Sequence, residues 1–227
     1  MTEAEWISTR AYAQGMMWHL RGSSLWRTKR GRRTLRLFAV ACCRQFSTQL
    51  WDDRLRQAID VAERVAEGHG TKQELEHARR AVEPLNSSSY SAPLGHGNQE
   101  RTATSLVNAL TLPGPYDAAL SMTCYELPLA GYCGDIAHEH ALMCDLVRDI
   151  FGNPFRPVSF HPAWRTDTAV SLARTMYESR EFGAMPILAD ALQDAGCEDE
   201  HILNHCRDAN QPHVRGCWVC DLVLGKA

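Results

Sequence analysis

The chain has 227 residues, a formal net charge of −3, 44% apolar residues and 22% charged residues. These proportions are ordinary for a globular chain and exclude a collagen-like, low-complexity or wholly disordered one. The length is enough to bury a sizeable core in one large domain or two small ones.

Taken from the N-terminus, nearly every periodic segment reads as helix. Thr2 and Glu5 form a capping box, and the helix it opens carries Trp6, Met16, Met17 and Leu20. A basic connector, Trp26–Arg33, follows. Thr34–Trp51 reads as a second helix, apolar on most sides over LRLFAVACC and so expected to be central. Asp52 or Asp53 can cap the next helix, whose Leu55, Ile59, Ala62 and Ala66 share one face, and Gly68 and Gly70 end it. Thr71 and Glu74 form a second capping box for a helix running to about Pro84.

Asn86–Asn98, NSSSYSAPLGHGN, has turn chemistry and no periodicity. The expectation is a single helical domain over 1–227, with this segment as the candidate subdomain boundary. Gln99–Leu110 reads as helix, stopped by LPGP. Tyr116–Phe151 reads as helical with a break near Pro128 and Gly131, and Gly152–Trp164 as an extended loop with three prolines. Thr168–Glu178, Pro186–Ala195, Asp199–Arg207 and Gly216–Leu224 complete the series. No alternating strand is visible. The expected fold class is all-α, an irregular orthogonal or bundle-like array of helices.

The opening MTEAEWISTR lacks the basic and then apolar regions of a secretory signal. No run of about 18 apolar residues is present, so neither a transmembrane helix nor a membrane partner is expected. The expected location is cytoplasmic. Nine cysteines, an odd number without a signal, are expected as reduced and mostly buried thiols.

The runs TEAEW, Leu35–Arg44 (LRLFAVACCR), Asp149–Val158 (DIFGNPFRPV), Pro186–Cys197 (PILADALQDAGC) and His213–Gly225 (HVRGCWVCDLVLG) span the chain. In these runs it resembles an uncharacterised family of helical proteins abundant in large-genome planctomycete bacteria. The resemblance covers nearly the whole length and brings no established activity. It implies a domain shuffled among multi-domain architectures, in a regulatory or adaptor role. The chain departs from the family's pattern at Cys220, where an aliphatic residue is expected, and at His138, His140 and His201.

Metal-like spacing is strongest near the C-terminus. His201 and His205 lie four apart on an expected helix, and Cys217 and Cys220 form a Cys-x2-Cys pair. Two imidazoles on one face followed by two thiols offer a tetrahedral zinc set, with Cys197, Cys206 and His213 as further ligands nearby. The competing reading is buried thiols and ordinary histidines. A second group, Cys133, Asp135, His138, Glu139, His140 and Cys144, lacks the Glu-x-x-His pattern of di-iron bundles and reads as a solvated helix face. Cys42 and Cys43 sit in an apolar run and read as core.

Six Lys and Arg fall within Arg27–Arg36 beside Trp26. Arg27, Lys29, Arg30, Arg32 and Arg33 are therefore candidate contacts to a phosphate or an acidic partner. Acidic groups outnumber basic ones over 114–227, so intramolecular complementarity is the competing reading. Nucleic acid is not favoured, because the chain is slightly acidic and shows no nucleic-acid fold signature.

No P-loop, GxGxxG, HExxH or GxSxG is present, and no catalytic residue or organic cofactor is assigned. Asp52–Asp53 and Glu198–Asp199–Glu200 read as helix N-termini, where negative charge offsets the macrodipole. The expected function is a non-enzymatic helical adaptor that binds another protein. The alternative is a zinc-stabilised helical domain touching nucleic acid through 27–36.

Overall fold

The computed structural model describes residues 1–45, 47, 50–86, 98–124 and 136–226. Among them are twelve α-helices and no strand, so the fold is all-α. The helices are α1 Glu3–Ser8, α2 Ala13–Gly22, α3 Lys29–Arg44, α4 Asp53–Ala66, α5 Lys72–Val82, α6 Asn98–Leu110, α7 Pro115–Cys124, α8 Ile136–Phe151, α9 Asp167–Ser179, α10 Met185–Asp194, α11 Glu200–Arg207 and α12 Trp218–Leu224. They form two compact units, Met1–Cys144 and Asp145–Ala227. The division falls inside α8 and not in Asn86–Asn98, of which 87–97 lie outside the described residues.

In the first unit α3 is central and packs against α4, α6 and α7. Every residue from Thr34 to Cys43 is buried. Arg36 is the charged exception, and its guanidinium is spent on the open carbonyls past the end of α6. It donates to the Leu110 carbonyl, to that of Leu112 at 2.8 Å and to that of Pro113 at 3.3 Å. Burial lowers its pKa to about 10. Cys42 and Cys43 are core residues, as expected, and burial pushes both thiols far above their ordinary value.

Three element boundaries differ from the sequence reading, one being the end of α3, which stops at Arg44, short of the expected Trp51. The expected N-terminal helix is two, α1 and α2, separated at Thr9–Tyr12. The basic segment is no free connector: Leu25–Arg27 is a single 3-10 turn, and Lys29 already begins α3. Thr28 is the N-cap, accepting from the Gly31 amide at 2.9 Å and donating to the Leu25 carbonyl at 2.8 Å. Gly31 is required there, because a Cβ would lie 1.8 Å from the Leu25 carbonyl oxygen. Both expected capping boxes are present, Thr2 with Glu5 and Thr71 with Glu74. Asp52 caps α4 by accepting from the Arg54 amide at 2.8 Å.

In the second unit α9 packs on α10 and α12, and α11 packs on α10 and α12. Their shared core includes Met176, Leu188, Leu192, Ile202, Trp218 and Val223. Gly152 ends α8 at φ +65°, and a Cβ there would meet the Trp218 indole at 3.3 Å. Arg165 donates to the Leu222 carbonyl near the end of α12, at 2.9 Å. No helix among the described residues is long and apolar enough to cross a membrane.

Candidate metal centre

Four potential ligands from three separate stretches of chain converge in the second unit. Asp149 stands in the last turn of α8, His205 on α11, His213 in the loop that follows, and Cys217 at the N-cap of α12. Their donor atoms all lie within 4.8 Å of one another, and the group could hold a metal ion.

Local structure fixes each side chain. Asp199 caps α11 by accepting from the amides of His201 and Ile202, which sets the rotation of the helix and the direction of His205. The 208–217 loop is tied down by Gln211, which donates to the Asp145 carbonyl at 2.8 Å. Arg215 donates to the carbonyls of Tyr177 and Glu178, at the end of α9. The Val214 amide donates to Asp149 Oδ2 at 3.0 Å, so one carboxylate oxygen is held by backbone and the other faces the cluster.

Asp149 Oδ1 lies 2.8 Å from His213 Nδ1 and 3.3 Å from His205 Nε2. Cys217 Sγ lies 3.4 Å from His205 Nε2 and 3.9 Å from His213 Nδ1. Each imidazole thus turns one nitrogen toward both the carboxylate and the sulfur. A Cys-His-Asp relay requires the acid on the nitrogen opposite the one facing the nucleophile. That arrangement is not formed by His205 or by His213. The four groups instead point at a common centre.

The electrostatics agree with that convergence. Asp149 and Cys217 are fully buried, and the side chains of His205 and His213 are 10% and 7% exposed. Burial alone would raise the Asp149 pKa, yet the bonds to His205 and His213 bring it below its ordinary value. Burial would depress the two histidines, but the facing Asp149 and Cys217 raise both. The Cys217 thiol is held well above its usual value, first by burial. Asp149 also sits at a helix C-terminus, where the macrodipole disfavours an anion. With a dication at the centre, one carboxylate, one thiolate and two neutral imidazoles sum to zero charge, which a buried site tolerates.

Of the four ligands expected from sequence, the structure brings together His205 and Cys217. His201 instead stacks on Trp218, with ring centroids 5.2 Å apart at 28°. Cys220 is not one of the four converging groups: its Sγ lies 3.6 Å from Met185 Sδ, and on its other side it is in hydrogen-bonding contact with the Cys217 thiol. Cys197 and Cys206 are buried, and burial raises both thiols. Among the second histidine-rich group, Cys133 and Asp135 lie outside the described residues, His138 is exposed and Cys144 is buried. Among the basic candidates, Arg27, Lys29, Arg30 and Arg32 are exposed, while Arg33 is withdrawn into a 2.8 Å ion pair with Glu67.

Asp149 is not legible from sequence as a ligand, because nothing in local spacing links it to residues more than fifty positions away. The available signal was an acid near the C-terminal end of an apolar helix. His213, four residues before Cys217, was legible only as a nearby extra.

No family model, curated protein or solved structure matches this chain.

Proposed function

We propose that the protein is a zinc-stabilised helical interaction module, with the ion held by Asp149, His205, His213 and Cys217. The observation that carries this reading is the convergence of one carboxylate oxygen, two imidazole nitrogens and one sulfur on a single buried point. Tetrahedral zinc, with nitrogen and oxygen at about 2.0 Å and sulfur at about 2.3 Å, separates its ligand atoms by about 3.3–3.6 Å. The contacts from His205 Nε2 to Asp149 and to Cys217, 3.3 and 3.4 Å, match those edges, and those from His213 Nδ1, 2.8 and 3.9 Å, fall on either side of them. The mixed nitrogen, oxygen and sulfur set suits zinc better than magnesium or calcium, which take oxygen.

Catalytic zinc keeps a position open for water, whereas structural zinc is closed by four protein ligands. Four buried ligands from α8, α11, the 208–217 loop and α12 favour the closed, structural role. The ion then supplies folding free energy to a small unit. The adaptor role is consistent with the planctomycete family resemblance, which likewise stands as part of this proposal.

Cobalt(II) tests the coordination directly. Adding it to metal-free protein should give, at one equivalent, the intense visible bands of a tetrahedral site and a near-ultraviolet thiolate-to-cobalt band. Cys217→Ser should abolish the thiolate band. A weak octahedral spectrum, or a thiolate band that persists in Cys217→Ser, contradicts the assignment.

A further inference from the structure

We infer that the corner formed by the Leu25–Arg27 turn and the start of α3 is a docking surface for an acidic protein segment. This inference concerns the first unit and stands apart from the metal reading.

Arg27, Lys29, Arg30 and Arg32 are all exposed within six residues of chain. Among the described residues none of the four forms an ion pair, while Arg33 beside them is neutralised by Glu67. The first turn of α3 carries no acidic residue. Stability alone would prefer the opposite charge there, because cations at a helix N-terminus oppose the macrodipole. Such a cluster is therefore a cost to the fold.

The corner is also tied together by local contacts. Thr28 bonds both the turn and the helix, Gly31 lets the Leu25 backbone approach closely, and Arg32 donates to the Arg27 carbonyl at 2.6 Å. Arg27 lies over the Trp26 ring, 4.9 Å from its centroid. Cations held on a fixed frame lose little entropy when they meet an anion.

Carboxylates and phosphates both fit arginine, and three observations favour a protein. One face of Trp26 is already occupied by Arg27, which leaves less of the indole for stacking a nucleic-acid base. Beyond Arg33, α3 is buried through Cys43 and presents no recognition face to a groove. The whole chain is net negative, which opposes a long polyanion but not a short acidic segment that contacts only this corner.

The test uses the full chain, a fluorescent oligoglutamate peptide of roughly ten residues, and a nonspecific DNA duplex. The parent should bind the peptide saturably, and added salt should weaken binding by screening. The triple variant Lys29→Glu/Arg30→Glu/Arg32→Glu should lose at least about tenfold in affinity. Its melting temperature should stay level or rise, since acids now stand at the helix start. Lys29→Gln/Arg30→Gln should give an intermediate loss and serves if the triple variant fails to fold. Arg80→Glu, a reversal at a cation paired with Glu76, should leave peptide binding unchanged. Three outcomes overturn the inference: no binding by the parent, equal loss in Arg80→Glu, or DNA binding through the same residues that exceeds peptide binding.

Discussion

Cys217 and Cys220 share a Cys-x2-Cys motif, yet the fold gives them different tasks. Cys217 faces two imidazoles and a carboxylate, while Cys220 packs on Met185. Cys220→Val is therefore expected to keep the metal and cost about 1–3 kcal/mol, as a slight overpacking of a fully buried position. Cys217→Ser is expected to lose metal affinity and lower the melting temperature by about 10 °C or more. Thermal unfolding followed with a zinc assay separates the two, and equal behaviour would return both cysteines to simple packing. His201→Phe should also retain the metal, because the ring position on Trp218 is a stacking role. The His-x3-His and Cys-x2-Cys spacings name half of the ligand set, because Asp149 is remote in the chain and His213 falls outside both spacings. Asp149 and His213 join through a tertiary arrangement: the Val214 amide on Asp149 Oδ2 and the Gln211 side chain on the Asp145 carbonyl.

At the scale of elements, helix existence was readable and helix ends less so. Capping boxes at Thr2 and Thr71 and the Asp52 cap are local chemistry, and each appears where the residues place it. The start of α3 was misplaced because its deciding interaction is a close backbone approach between Leu25 and Gly31, invisible to hydrophobic period. Gly31→Ala should accordingly be among the most damaging small substitutions in the first unit. With the nearest atom a backbone oxygen, the cost should reach about 3 kcal/mol by denaturant unfolding. A loss below about 0.5 kcal/mol would show that the turn can move away freely. Arg36→Met tests the other end of the same packing. It strands the buried Leu110 carbonyl and removes a partner from those of half-buried Leu112 and exposed Pro113, and should cost about 2 kcal/mol despite its apolar surroundings.

Across the whole molecule, the helical periodicity and the lack of an alternating strand anticipate the all-α class, but the division into two units is not legible. Its boundary falls inside α8, where the apolar pattern runs on without glycine or proline from Ile136 to Phe151. A loop-based reading looks instead to Asn86–Asn98, where turn residues cluster. The metal reading carries a consequence at this scale. Its ligands all lie between 149 and 217, so chelation should increase amide hydrogen exchange most in peptides covering 200–224. Uniform change along the chain would mean that the ion does not act through this cluster.

The most direct test of the central claim is the native mass of untagged protein, purified without chelator and supplied with zinc. The account predicts one zinc ion per chain in the parent and in Cys220→Val, and none retained in Cys217→Ser. A parent that stays metal-free, or a Cys217→Ser protein that keeps its ion while Cys220→Val loses it, would contradict the assignment of Asp149, His205, His213 and Cys217 as the ligands.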